Sequence, residues 1–472
     1  TPVGWTPTIA ADRRSAVYRP QTATRARATL LLASLGFFLI TLDILIVNLA
    51  LTQIGVELGG GASGRQWVID GYTLTFAVLL LFAGNLSDRI GAKRAFGAGI
   101  ALFLLASIAC AVAPTLGLLI AARVVQGAGA AIMLPASMAL IREAFPDPRQ
   151  RTHALGIWAV GGAVAGAVGP LVGGLLTTVD WRLVFAINLP VCVAMLALLT
   201  AVPPSPARPT PFDWAGQAVA AVALTALMYG LITGGDSGFA RPAVIAALVI
   251  AVAGIACFVL LQSRVRHPMM PLDLFRPAGM RIALLDGFAF MVGNFGSVFV
   301  VSLYLQQHLG LSPLLAGLVF LPSAAFSITG NLVSGRLANR YGPRVPAALG
   351  LGLMALGFVG LLACAPTGSP LLAGLFLVFT GTGGSIAMPP VTSVVLASAP
   401  AHRAGAASAV FNTVRQVGGA VAIAVFGAFV ADPATFVPGM QLAFAIAAAG
   451  LLAAALVSLR IRGPQTRKAG SE

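Results

Sequence analysis

Charge is scarce in this sequence, and acidic charge scarcest: 14 Asp and Glu stand among 472 residues, and charged residues make up only 9%. A water-soluble chain of this length needs far more surface charge, so a soluble globular fold is excluded. Lysine is nearly missing, with only Lys93 and Lys468 against 27 arginines. Cysteines are few: Cys110, Cys192, Cys257 and Cys364 all lie in apolar stretches with no CxxC spacing. They read as packing residues, which excludes a disulfide framework and a metal site. His153, His267, His308 and His402 sit in or near loops without ligand spacing. No Walker motif and no nucleophile–base pair at catalytic spacing occurs, so ATP hydrolysis and enzymatic chemistry find no support. Strand alternation is also missing, which leaves closed helices as the way to satisfy a backbone in lipid.

What the sequence has is long apolar runs. Mean hydropathy is +0.93. A helix crossing the hydrocarbon needs roughly 20 apolar residues. Fourteen such runs can be counted, from 28–51 to 439–459. With the N-terminus placed in the cytoplasm, 24 of the 29 basic residues fall in cytoplasmic segments. Only Arg65, Arg182 and Arg241 fall on the other face, and Arg123 and Arg415 lie inside runs. That bias predicts an even number of spans with both termini cytoplasmic. The net charge of +15 therefore reads as membrane topology, with no nucleic-acid partner expected. Residues 1–27 are polar and basic, too unlike a cleavable leader to be one, and are expected to be a cytoplasmic tail.

A short segment occurs twice. Residues 84–94 read GNLSDRIGAKR and residues 335–345 read GRLANRYGPRV, pairing Gly84 with Gly335, Arg89 with Arg340 and Gly91 with Gly342. The loop from Pro146 to His153 likewise resembles that from Pro400 to Ala406. The first copy joins runs two and three, the second runs ten and eleven. That shift is one six-helix repeat plus two extra helices. The expected division is a six-helix bundle at 28–202, a linker and two inserted helices at 203–263, a second six-helix bundle at 264–460, and a tail at 461–472. The linker opens with PPSPARPTP, a semi-rigid connector.

Further segments complete a pattern: AARVVQGAGAA at 121–131, AGAVGPLVGG at 165–174, LDILIVNLALTQI at 42–54, WRLVFAINLPV at 181–191 and FNTVRQVGGA at 411–420. Together with the repeated loop, the chain resembles the major facilitator superfamily, and within it the fourteen-helix drug:proton antiporters. In pattern it is similar to actinobacterial antibiotic exporters of the methylenomycin-resistance type. Departures occur at Ala165, Leu45 and Thr52, where the family patterns have Gly, Thr and Pro. The resemblance implies an all-α integral membrane fold and a transporter, with no cofactor beyond a proton gradient. It implies small-molecule substrate and protons as partners, a monomer, and a bacterial plasma membrane.

Each motif has a physical reading. In the loop, Gly84 and Gly91 permit close backbone approach. Asp88 latches one conformation against a helix N-terminus or an arginine of the other bundle, with Arg89 and Arg94 beside it. Asn339 leaves the second copy without that charge. Gly169, Pro170, Gly173 and Gly174 thin and kink the fifth helix, and the resemblance makes it a seal between bundles.

Ionisable groups inside lipid carry the strongest functional presumption. Asp43, Asp70 and Asp286 are the acids within runs. Asp43 lies about 22 Å along its helix, Asp70 about 6 Å and Arg123 about 10 Å, each at 1.5 Å per residue. Asp43, Asp70 and Arg123 are thus expected to share a cavity as the proton-coupling group. A carboxyl group stripped of water binds a proton more readily, and a neighbouring carboxylate strengthens this. Asp286, near a helix end, is expected to snorkel or pair. Arg415, with Asn412 and Gln416, faces a cavity or pairs internally. Asn48, Gln126, Asn412, Arg415, Phe288 and Phe295 are candidate pocket residues, with Trp67, Tyr72, Trp158, Phe290, Met291, Tyr304 and Phe411 as further aromatic or soft lining. Trp67 and Trp181 read first as interfacial anchors. The expected activity is proton-coupled export of small amphiphilic or cationic compounds such as antibiotics. The alternative is export of one endogenous metabolite, and a non-transporting sensor would need a soluble appendage that neither tail is long enough to form.

Overall fold

The computed structural model describes residues 23–207, 212–266, 268–399 and 404–461. The basic tail up to residue 22, linker residues 208–211, the loop at 400–403 and the tail from 462 lie outside the described residues. Within them the chain is helical, and no strand occurs. The spans are α1 (Ala23–Leu58), α2 (Gly61–Ile90), α3 (Ala92–Ala111), α4 (Leu116–Ala144), α5 (Pro148–Val179) and the interrupted pair α6 (Leu183–Ala186) and α7 (Asn188–Thr200). They continue with α8 (Trp214–Ser237), α9 (Pro242–Arg264), α10 (Ala278–Leu303), α11 (Pro313–Tyr341), α12 (Arg344–Cys364), α13 (Pro370–Ala397), α14 (Ala404–Phe429) and α15 (Phe436–Ser458). Thirteen are long and apolar enough to cross a membrane, and α2, bent by 58° between Gly61–Leu80 and Phe82–Ile90, makes the fourteenth. The protein is an all-α integral membrane protein.

Local signals set the helix ends. Thr115, Asp147, Asp213, Ser312 and Ser369 cap α4, α5, α8, α11 and α13 with side-chain oxygens. Proline follows the cap at α5, α11 and α13, where its missing N–H costs nothing. Gly91 and Gly342 end α2 and α11 at φ of 88° and 74°, a region other residues enter with strain.

The packing pattern occurs twice. In the first half α1 packs on α5 and α4, α2 on α4, and α3 on α4 and α7. In the second, α10 packs on α14 and α13, α11 on α13, and α12 on α13 and α15. The halves meet where α5 packs on α11, α2 on α14 and α1 on α10. Glycines mark the tightest crossings. A Cβ on Gly99 would lie 3.0 Å from the Gly129 carbonyl, and one on Gly350 would lie 2.4 Å from that of Gly383. Between the halves, Gly174 of α5 closes on the Pro313 carbonyl and Gly317 of α11 on that of Pro170, at 2.4 and 2.5 Å by the same measure. Such contacts let backbones approach where lipid offers no hydrophobic drive.

The inserted pair α8 and α9 packs on itself, and α8 also lies on both α2 and α14. Met228 and Ile232 of α8 join Leu74 and Val78 of α2 and Ala420 and Ala424 of α14 in one apolar cluster. Gln217 of α8 donates to the Val78 carbonyl at 2.9 Å, just before the bend in α2. No proline or glycine occupies residues 78–82, and this hydrogen bond from α8 lies beside the bend.

Candidate functional site

Where α1, α3, α4 and α7 converge, five polar side chains form a closed network in the apolar core. Arg123 and Gln126 lie three residues apart on one face of α4, and Ser107 projects from α3. Asp43 lies within α1 and Asn188 opens α7. All five are buried, each at 0% exposure. Arg123 Nη1 donates to Asp43 Oδ2 and to Gln126 Oε1, the latter at 2.7 Å, and Arg123 Nε donates to the Val68 carbonyl at 3.0 Å. Gln126 Nε2 and Asn188 Nδ2 donate to Asp43 Oδ1 at 2.9 and 2.8 Å. The same two amides reach Ser107 Oγ at 2.9 and 3.3 Å. The Tyr72 ring lies 4.3 Å from the guanidinium carbon, and its hydroxyl donates to the Ile40 carbonyl at 3.4 Å. Arg123 Nη2 and Asn188 Oδ1 have no partner among the described residues. A buried ion pair needs such additional hydrogen bonds to offset the loss of water. Asn188 and Ser107 are site residues that sequence patterns do not single out. Asn188 falls inside the 181–191 segment, but its nearness to Asp43 is tertiary.

Asp70 stands apart from this network. It is buried, and Oδ1 accepts from Thr73 Oγ1 at 3.3 Å while Oδ2 has no partner among the described residues. Its helical neighbours Trp67 and Leu74 belong to the cluster joining α2, α8 and α14, so Asp70 occupies the seam between the halves. The expected single cavity holding Asp43, Asp70 and Arg123 is thus corrected: Arg123 turns toward Asp43, on the opposite side of α2. Asp286 does not snorkel. It is buried and accepts from Ser458 Oγ of α15 at 2.8 Å.

The loop residues divide. Gly91 is essential to its contact: a Cβ would lie 2.8 Å from the Ser205 carbonyl. Ser205 Oγ accepts from the Lys93 N–H at 3.0 Å and bonds Glu143 of α4, which ties the linker to the loop. Gly84 meets nothing within 4 Å, so its expected close approach is corrected. Asp88 pairs with Arg142 of α4 at 3.7 Å, in its own half and not across to the other. Arg89 stacks 5.1 Å above Phe212, which packs with Phe82 and Trp214, and Arg94 is exposed. On α5, Gly169 and Gly173 meet Leu45 and Ile46 of α1, while Gly174 and Pro170 meet α11.

Among the pocket candidates, Asn48 and Phe295 line a narrow gap between the halves, with Ile44, Leu45, Ile69, Val298 and Ile423. Asn48 Nδ2 bonds its own helix, and Oδ1 has no partner among the described residues. The gap has no room even for a water molecule, so the halves are drawn together here. Phe288 covers Gly418. Gln126 belongs to the buried network instead of a pocket. Arg415 lies between Phe290 and Phe411 and donates to Asn412 Oδ1 at 3.2 Å. Tyr304 and Trp158 are packing residues, bonded to the Ala365 carbonyl and to Ser137 Oγ. Trp181 is buried and donates to Glu57 at 2.6 Å, so it is no lipid-facing anchor. Trp67 packs in the α2–α8–α14 cluster.

A polytopic helical fold with a twice-used packing plan and a hydrogen-bonded ion pair in its interior is the architecture of a secondary transporter. A family model described as Major Facilitator Superfamily matches residues 33–423. The chain is 37% identical over 440 residues to the methylenomycin A resistance protein of Streptomyces coelicolor, covering 92% of each. It is 38% identical over 408 residues to the multidrug resistance protein Stp of Mycobacterium tuberculosis, covering 85% of this chain and 75% of that one. Its fold matches the crystal structure of a POT family transporter in complex with 5-aminolevulinic acid at a TM-score of 0.68 and 13% identity, over 91% of this chain and 94% of the other. The chain belongs to the Major Facilitator Superfamily. It is a multi-pass membrane transporter of small molecules and not an enzyme.

Proposed function

We propose that this protein is a proton-coupled efflux transporter that exports small amphiphilic or cationic compounds, antibiotics among them. The observation that carries the reading is the buried Asp43–Arg123 pair with its three neutral partners, in a chain similar to named resistance proteins. The bundles, residues 28–202 and 264–460, alternate access around residues 203–263. The protein works as a monomer in a bacterial plasma membrane with both termini cytoplasmic. The proton gradient alone supplies the energy.

The geometry supports a two-acid scheme. A proton on Asp43 removes the charge that holds Arg123, leaving the guanidinium to Gln126, the Val68 carbonyl and the Tyr72 face. That loosens α1 from α4. Asp70 acts at the seam: ionised, with Oδ2 unpartnered among the described residues, it favours water and an open seam, and protonated it permits closure. The α5–α11 crossing at Gly174 and Gly317 seals the face that the charge bias places outside.

The test is substrate-driven proton movement in proteoliposomes under an imposed pH gradient, with wild type beside Asp43→Asn and Asp70→Asn. Coupled flux in wild type, lost in Asp43→Asn, is expected. Coupling that survives both substitutions would move the proton site elsewhere. Substrate movement without proton movement would leave the exporter and remove the coupling.

A further inference from the structure

Two arginines lie inside spans, and the structure treats them differently. Arg123 has a carboxylate, an amide oxygen and a backbone carbonyl as acceptors. Arg415 of α14 has the Asn412 Oδ1 for its Nη1, at 3.2 Å, and its buried Nε has no partner among the described residues. No carboxylate among the described residues lies within 4.0 Å of it. Asp286, next to the facing residue Gly287, accepts from Ser458 of α15 at Oδ2, and its Oδ1 has no partner among the described residues; it forms no ion pair with Arg415.

The surroundings are built to receive this side chain. A Cβ on Gly287 of α10 would lie 3.0 Å from Arg415 Cγ and 2.4 Å from the Phe411 ring, so the missing side chain makes the space. The guanidinium carbon lies 5.6 Å from the Phe290 ring centre and 5.5 Å from that of Phe411. Aromatic faces attract a cation but accept no N–H with the strength of a carboxylate. An unpaired charge inside a membrane protein is costly, and a ligand that supplies the counter-charge relieves the cost. The neighbouring Gln416 is buried, its Oε1 without a partner among the described residues, and adds an amide to the same stretch of α14.

We propose that Arg415, with Asn412, Phe290 and Phe411, forms an anion-recognition site in the second half of the transporter, taking the carboxylate of a compound with a planar apolar ring system. Of the amphiphilic and cationic compounds named above, this site narrows the preferred cargo to amphiphilic organic acids. The proposal rests on the exporter reading above. A quaternary ammonium compound would meet like charge at this point. Exporting an anion while a proton enters moves charge in one direction, which an inside-negative membrane potential favours.

The probes are 2-naphthoate, its methyl ester and 2-naphthyltrimethylammonium, which share one ring system and differ in charge. Equilibrium dialysis against the purified full-length protein reads binding without requiring transport. Wild type is expected to hold naphthoate at least about 10-fold tighter than either analogue, as a charge-assisted pair requires. Arg415→Gln should bring the acid within about two-fold of the ester while ester binding stays unchanged, and Arg415→Lys should keep part of the preference. Equal or tighter wild-type binding of the ester or ammonium probe overturns the site, as does no naphthoate binding at millimolar concentration. If Arg415→Gln does not fold, the wild-type ranking together with Asn412→Ala decides. Efflux of the three probes from proteoliposomes separates the two readings. Proton-driven export without acid preference removes the anion site and keeps the exporter; selective acid binding without proton-driven export of any probe does the reverse.

Discussion

The α3–α4 crossing in the first half and the α12–α13 crossing in the second have the same backbone geometry and opposite chemistry. Gly99 faces Gly129 as Gly350 faces Gly383, and Gly127 rests on the Tyr72 carbonyl as Gly381 rests on Ser323. With those contacts aligned, Arg123 corresponds to Leu377, Gln126 to Thr380 and Ser107 to Phe358. Leu377 and Phe358 are buried, Phe358 meets the Phe444 ring edge-on at 5.4 Å, and Thr380 bonds its own helix at the Leu377 carbonyl. The second half shows that this crossing packs without charge. The first half keeps at the position of Leu377 an arginine paired with Asp43 of α1, at a desolvation cost.

The strongest way to break the comparison is to make the first half like the second. Asp43→Leu or Arg123→Leu alone strands a buried charge and should lower unfolding stability by about 3–5 kcal/mol. Combining Asp43→Leu with Arg123→Leu should recover most of that loss in detergent thermal unfolding while proton-coupled transport stays absent. A double variant as unstable as the singles would make the pair structural. Next, Gly99→Ala and Gly350→Ala should each cost about 1–3 kcal/mol by overpacking, the second more because its Cβ would lie 2.4 Å from a carbonyl. A clearly larger loss at Gly99 would break the correspondence of the two crossings.

Helices α2 and α11 sharpen the contrast further. Pro322 lies inside α11, which still passes as one span, whereas α2 bends by 58° without a proline. Gln217→Leu should cost about 1 kcal/mol by removing the α8–α2 hydrogen bond to the Val78 carbonyl and should slow transport more than it lowers stability. An unchanged transport rate would show that the bend does not depend on the inserted helix. The smallest effect is expected at the loop. Asp88 and Arg142 are half exposed and 3.7 Å apart, so Asp88→Asn, which copies Asn339 of the second half, should change stability by less than about 1 kcal/mol. A larger loss would assign Asp88 a partner other than Arg142.

Part of the site is legible in the amino-acid sequence. Asp43 and Arg123 stand out because a charge inside an apolar run has few reasons to exist. Gln126 follows from its motif, though as a pocket residue. Asn188 and Ser107 escape notice, since neutral polar residues in apolar runs are common and only proximity to Asp43 distinguishes them. Asp70 is found by its charge but assigned to the wrong neighbours. Depth along a helix can be counted from sequence, whereas the direction a side chain takes around the axis depends on which helices flank it.

The sequence by itself determined that the chain is a membrane-spanning helical protein, where its spans lie, and that a segment repeats between its halves. Those follow from hydropathy, capping residues and glycine placement, all local in the chain. The tertiary structure alone decided that Asp43 meets Arg123, Gln126 and Asn188, that Asp70 sits at the seam, that Arg415 has no carboxylate beside it among the described residues, and that α8 bridges both halves. Each depends on contacts between residues far apart in sequence, fixed by how fourteen spans pack and by no single helix.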